Sequence, residues 1–175
     1  MEKPQSSLGF RGIAFLLKLR DFFRPRGDVL NEVGIQPGAL VLDFGCGPGG
    51  YILPLARLVG PYGMIYALDM NPLAIRAVKK LAFKNNLSNV ETIISDGKTG
   101  LSDTSLDYIL LYDILHDLDH PENVLAELSR FLKPDGILSV SDHHLKAEEI
   151  TAGITASGYF RLLRRGEKVY NFAGV

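Results

Sequence analysis

The chain has 175 residues, 46% of them hydrophobic, with 19 Lys and Arg against 20 Asp and Glu and a formal net charge of -1. That length suits one domain with a real core, and the near-neutral charge gives no global attraction for polyanions, so no nucleic-acid substrate is expected. A single cysteine, Cys46, excludes an intrachain disulfide framework, and with no secretory leader in view and Ile13 to Leu17 too short to span a bilayer, the expected compartment is the cytoplasm.

From Leu8 to about Phe23, Phe15, Leu16, Leu19, Phe22 and Phe23 fall on one helical stripe that Pro25 stops, which predicts an amphipathic helix. Asp28 caps a second short helix running to Val33. Ala39 to Phe44 is too short for a helix and suits a buried parallel strand. A glycine-rich turn, a helix from Tyr51 to Val59 and the strand Met64 to Leu68, ending at Asp69, complete one unit. The alternation continues with a helix from Asn71-Pro72 to about Asn85, a strand Val90 to Ile94, and an almost wholly apolar strand Leu106 to Tyr112. A helix follows from His120-Pro121 to Leu132, then a turn at Lys133-Pro134-Asp135-Gly136, the strand Ile137 to Ser141 and a helix from Lys146 to Ser157. Two short strands then flank Arg165-Gly166-Glu167, a connection too tight for a parallel pair, so the sheet ends in an antiparallel hairpin. Alternating strands and helices define an α/β fold with a mostly parallel sheet, and such sheets bind ligands at the carboxyl ends of their strands.

At the first of those ends, Asp43-Phe44-Gly45-Cys46-Gly47-Pro48-Gly49-Gly50 leaves a strand and enters a helix, where glycines let the backbone turn sharply and approach a ligand. Gly45, Gly47 and Gly50 also satisfy the dinucleotide pattern, so the glycines alone leave the cofactor open. Asp69, at the end of the second strand, suits a carboxylate that accepts ribose hydroxyls in either case. Asp43 discriminates: a carboxylate there suits an ammonium group and opposes a pyrophosphate. Asp96 can accept from an adenine amino group, with Met70 and Gly97 flanking the ring, although strand-end aspartates also simply cap turns.

ValLeuAspPheGlyCysGlyProGly, TyrAlaLeuAspMet, IleSerAspGly and LeuLysProAspGlyIleLeu, in this order over residues 35 to 175, resemble the motifs of class I S-adenosylmethionine-dependent methyltransferases. The stretch from His116 to Gly136 is similar to the ubiquinone/menaquinone-biosynthesis branch. The resemblance implies a single-domain Rossmann-like fold with a seven-stranded sheet and a C-terminal antiparallel hairpin. It implies S-adenosylmethionine as cofactor and S-adenosylhomocysteine as product. The cofactor would be held by Asp43, Gly45, Cys46, Gly47, Gly49, Asp69, Met70, Asp96, Gly97 and Tyr112. Residues 1–34 would form a helical cap on the domain comprising residues 35–175. Arsenite methylation is disfavoured, because its members use several cysteines.

Methyl transfer from a sulfonium is an in-line displacement, so the protein's main task is alignment, worth roughly 7 to 11 kcal/mol at the ideal limit. All four histidines, His116, His120, His143 and His144, follow the fourth and fifth strands, where an acceptor would enter. His116 is the first choice as base, with Asp113 or Asp117 to orient it and His143 beside it. His116 as mere pocket lining remains open, and His120 at a helix start is read as structural or exposed. Asp113, Asp142 and His143 could instead converge on a divalent ion that binds a diol, or Asp142 could simply cap the following segment. The first 26 residues carry six basic and two acidic side chains around the aromatic stripe. They suit a lid over the acceptor pocket, or contact with an anionic membrane surface. The expected function is methylation of a small-molecule acceptor, with a non-catalytic nucleoside-binding module as the alternative. Acceptor identity and oligomeric state are not encoded in these motifs.

Overall fold

The computed structural model describes residues 26–95 and 99–175. The helix expected over residues 8 to 23, and with it most of the expected cap, lies outside them, as do Asp96 and Gly97. Strands β1 (Leu40–Phe44), β2 (Met64–Asp69), β3 (Val90–Ile94), β4 (Leu106–Tyr112), β5 (Leu132–Ser141), β6 (Phe160–Arg165) and β7 (Tyr170–Gly174) form one sheet in the order β3-β2-β1-β4-β5-β7-β6. Among the described residues five α-helices accompany it: α1 (Arg26–Asn31), α2 (Ile52–Val59), α3 (Pro72–Lys84), α4 (Pro121–Phe131) and α5 (Ala147–Thr155).

Both faces of the central strands β1 and β4 are buried, which is why β4 is apolar almost throughout. Its residues alternate between two cores: Tyr108, Leu110 and Tyr112 pack with Leu30 of α1, Leu55 of α2 and Val78 of α3, while Ile109 and Leu111 pack with Leu128 of α4 and Ile154 of α5. A period of two in a strand places successive side chains on opposite faces. Asp43 of β1 therefore points to the same side as its neighbours in register, Leu110 and Ala67.

Because β1 lies between β2 and β4, the chain leaves β1 toward one edge of the sheet and later returns on the other side. The loops after β1 and β4 diverge, opening a crevice at their carboxyl ends. Asn71 caps α3 by accepting the Leu73 amide at 2.9 Å, with Pro72 in the first turn, as the sequence predicts.

Two expectations are corrected. The first described helix starts at Arg26, so Asp28 lies inside its first turn instead of capping it. Strand β5 reaches back to Leu132: Leu106 pairs with Leu132 and Tyr108 with Ile137, so the predicted turn Lys133–Gly136 is a bulge within the strand. Lys133 Nζ pins that bulge to Asp107 Oδ1 at 2.7 Å. The expected C-terminal antiparallel hairpin is present: β7 pairs antiparallel with both β5 and β6 and sits inside the sheet. Glu32, following α1, ties the start of the described chain to this hairpin: its carbonyl accepts from Asn171 Nδ2 at 3.2 Å and its Oε2 from the Lys168 amide at 3.0 Å.

Candidate active site

At the end of β1 the chain turns through three glycines with positive φ, Gly45 (75°), Gly47 (51°) and Gly49 (87°), a region L-residues disfavour. Their uses differ. A Cβ on Gly45 would meet the Ile114 side chain at 3.1 Å, and one on Gly49 would meet Val78 and Ile52 at 3.1 and 3.3 Å, whereas Gly47 faces open space. Gly49 thus permits close packing of the loop on α2 and α3.

The loop's amides are engaged within the protein. Those of Gly45 and Cys46 both donate to the Leu68 carbonyl at 2.9 Å, that of Gly47 to Asp69 Oδ2 at 2.8 Å, and that of Gly49 to the Cys46 carbonyl at 3.1 Å, while Pro48 has none. Asp69 also accepts the Asn71 amide on Oδ1 at 2.8 Å. Asp69 therefore stands one hydrogen bond behind Gly47, not on the cavity wall, with a lone pair still available on each oxygen. Met70 beside it is 67% exposed.

A cavity of about 300 Å³ is lined by Asp43, Gly45, Cys46, Gly47, Pro48, Tyr51, Tyr112, Asp113, His116, Asp117, His143 and His144. It unites the glycine loop with three of the four histidines. Asp43 is buried there. The Cys46 side chain packs into the core, and burial, with Asp43 and Asp69 nearby, pushes its thiol far above the usual range, so no thiolate forms. Tyr112 meets Tyr51 edge to face with centroids 5.0 Å apart, and its hydroxyl bonds Ser139 Oγ at 2.9 Å. Burial raises the Tyr112 phenol well above its ordinary value, which removes it as a base.

The opposite wall is a reciprocal clasp between the loops after β4 and β5. Asp142 Oδ2 accepts the backbone amide of His116 at 3.1 Å and its Nδ1 at 2.8 Å; Asp113 Oδ1 accepts the amide of His143 at 3.2 Å and its Nδ1 at 2.7 Å. Asp113 reaches across because it adopts a left-handed conformation, φ 53°, which aspartate tolerates better than most residues. Asp142 has a fully buried side chain and also accepts the His144 amide on Oδ1 at 3.0 Å, which is the local turn the sequence offers as its alternative role. The orienter of His116 is thus Asp142, not Asp113 or Asp117. Asp117 faces the other nitrogen, with Oδ1 3.3 Å from Nε2. The hydrogen bond from Asp142, partly offset by burial and assisted by the charges of Asp142, Asp117 and Asp113, raises the His116 pKa above its ordinary 6.5. His120 is exposed and near Glu122, as its position suggests.

Asp113, Asp142 and His143 each offer a ligand atom within 4.8 Å of the others, the one such group among the described residues. His143 Nδ1 bonds Asp113 Oδ1, so an ion held by those two atoms would displace the Nδ1 proton.

Sequence reasoning missed Tyr51 as a cavity wall, although it had a signal as the first residue after the glycines; His144, expected with the other histidines where an acceptor would enter, lines the cavity. Nothing local marks the crossed pairing of the two aspartates.

An open α/β sheet with a glycine loop and a strand-end aspartate at its reversal point is a nucleoside-binding architecture. The chain belongs to the methyltransferase domain family, whose model matches residues 35–166, and it has the class I S-adenosylmethionine-dependent fold. A demethylmenaquinone methyltransferase from Geobacillus stearothermophilus is 29% identical over 123 residues, covering 70% of this chain and 53% of that protein. The chain spans about half the length of the curated relatives it matches first. A crystal structure of an S-adenosylmethionine-dependent methyltransferase from Aquifex aeolicus aligns with TM-score 0.75 at 29% identity, over 83% of this chain and 87% of that one. The [4+2]-cyclase SpnF shares the fold at 22% identity and TM-score 0.69, over 79% and 58% respectively. The fold by itself therefore does not fix the reaction.

Proposed function

We propose that the chain uses S-adenosylmethionine to methylate a small-molecule acceptor. One observation carries the choice of cofactor. The backbone amides of Gly45, Cys46, Gly47 and Gly49 are hydrogen-bonded inside the protein, so these four offer no donors to a pyrophosphate, and a buried carboxylate, Asp43, lines the same cavity. Both features oppose a dinucleotide and suit the ammonium end of an amino-acid nucleoside. Gly47, with open space over it, lets that end approach the backbone.

In this reading Asp43, Gly45, Gly47 and the Cys46 backbone hold the amino-acid end, and Asp69 uses its remaining lone pairs for the ribose. Met70 borders the adenine, and Tyr112 walls the methyl-bearing end. The cofactor supplies an already activated methyl group. His116, aligned by Asp142, accepts a proton from the acceptor, and Asp113 and His143 complete the catalytic rim. Positioned histidine bases contribute roughly a hundredfold or more. The demethylmenaquinone methyltransferase relatives act on a quinone, by name, and a small cyclic acceptor is consistent with a cavity of about 300 Å³. None of the described helices is long and apolar enough to cross a membrane, which is compatible with a cytoplasmic enzyme.

Calorimetry with S-adenosylhomocysteine and NAD tests the cofactor. Binding of S-adenosylhomocysteine alone supports the reading, and preferential binding of NAD refutes it. Turnover of S-adenosylmethionine against an acceptor panel separates an enzyme from a silent binding module.

A further inference from the structure

Helix α3 is divided by charge as well as by burial. Its buried residues are Ala74, Ile75, Val78 and Ala82, while Arg76, Lys79, Lys80, Phe83 and Lys84 are exposed. The exposed set recurs at intervals of three and four residues, so four cations and one aromatic ring form a single stripe along the outer face. Over residues 70–90 the chain holds no aspartate or glutamate. None of the four cations is ion-paired among the described residues. A solvent-facing helix commonly mixes both signs, and this one, in a chain of net charge -1, does not. Phe83 is 87% exposed and lies outside both cores. A second such ring, Tyr62 at 91%, stands in the turn at residues 60–63. Asn89, in the connection from α3 to β3, donates through Nδ2 to the carbonyls of Gly60 and Gly63 at 2.9 and 3.2 Å, which ties that turn to the chain leaving α3.

We propose that the outer face of α3 is a docking surface for an anionic lipid bilayer. A row of cations on a convex helix face meets a plane of negative headgroups, and each lysine or arginine near such a surface strengthens binding about fivefold. The overall charge of -1 does not oppose this, because charges more than a Debye length of about 8 Å from the bilayer are screened. Phe83, set among the cations, enters the headgroup layer, where aromatic rings are favoured, and Tyr62 supplies a second ring from the tethered turn. A nucleic acid suits the stripe less well. The face has no groove to track a phosphate backbone, and no asparagine, glutamine or serine stands in the stripe to read a base edge. The inner face of α3 is committed to the core through Ile75 and Val78, so the helix stays packed on the domain and the contact is peripheral. This surface is independent of the methyltransferase reading and stands or falls without it.

The test uses the full chain with two kinds of vesicle, phosphatidylcholine alone and phosphatidylcholine with phosphatidylglycerol at about three to one. The chain should sediment with the anionic vesicles and not with the neutral ones, and added salt should release it. Lys79→Gln together with Lys80→Gln removes two charges and should weaken that binding about 25-fold, whereas Lys79→Arg with Lys80→Arg should bind like the wild type. Both pairs change exposed side chains only, so their melting temperatures should match the wild type. The first 26 residues, with six basic side chains of their own, are the same in all of these proteins, so the difference isolates α3. Because the chain contains no tryptophan, Phe83→Trp places a single reporter in the stripe. Its emission should move to shorter wavelength with anionic vesicles and stay unchanged with neutral ones. Equal binding to both vesicles, no binding at all, a glutamine pair that binds like the wild type, or an unmoved tryptophan emission overturns the proposal. Tighter binding to single-stranded polyuridylate than to anionic vesicles would give the stripe to nucleic acid and overturn it as well.

Discussion

The two walls of the cavity are built on different principles. The wall after β1 is held by backbone: glycines with positive φ, amides bonded to the end of β2, and one carboxylate, Asp69, that braces Gly47. The wall after β4 and β5 is held by side chains, with each loop's aspartate gripping the other loop's histidine. The first arrangement is tied to residue types that have no substitutes in that conformation. The second depends on a pairing between distant loops, which other residue pairs could serve, so the first suits a constant cofactor and the second a particular acceptor.

That contrast can be broken most severely at the first wall. Asp69→Ala removes two charge-assisted bonds, each worth about 1.5–3 kcal/mol, and should weaken S-adenosylhomocysteine binding about 100-fold by calorimetry. Gly45→Val should lower the melting temperature, since a left-handed conformation costs an L-residue about 1–2 kcal/mol and the new side chain meets Ile114 at 3.1 Å. At the second wall, His116→Ala should reduce kcat about 100-fold while leaving S-adenosylhomocysteine affinity unchanged.

A smaller effect follows from pH. The His116 pKa is raised, so its contribution to stability is fully present below the ordinary value of 6.5 and is lost as pH rises through the higher folded value. The base form appears over the same rise, so kcat/KM should climb on a limb with its midpoint above 6.5. Asp142→Asn removes the largest cause of the shift and should move that limb to lower pH, with a loss of about tenfold in kcat. A limb unmoved in Asp142→Asn would separate the carboxylate from the base. Smallest of all, native Cys46 should resist iodoacetamide until the protein unfolds, because a buried thiol with no thiolate has no nucleophile to offer.

The same contrast explains what the sequence made legible. Strands, helices and glycine turns are written in local periodicity and residue type, so the α/β architecture, the Asn71-Pro72 helix start and the glycine turn after β1 could be read directly. The bulge at Lys133–Gly136 was read as a turn because its four residues carry turn chemistry, and only pairing with β4 draws them into the strand. Gly49 could not be told from Gly47, since one faces α3 and the other faces space, a difference of tertiary packing. His116 and His143 were visible as residues after strand ends, but their partners exchange across the two loops, and a separation of 26 or 30 positions in the chain leaves no local trace.

The central claim is that one cavity brings the adenosyl cofactor and the histidine rim together. A crystal structure of the complex with S-adenosylhomocysteine tests it most directly. The amino-acid end should lie against Asp43 and Gly47, the ribose against Asp69, and the sulfur should open toward His116 and His143. A ligand bound elsewhere, or one whose sulfur faces away from that rim, would contradict it.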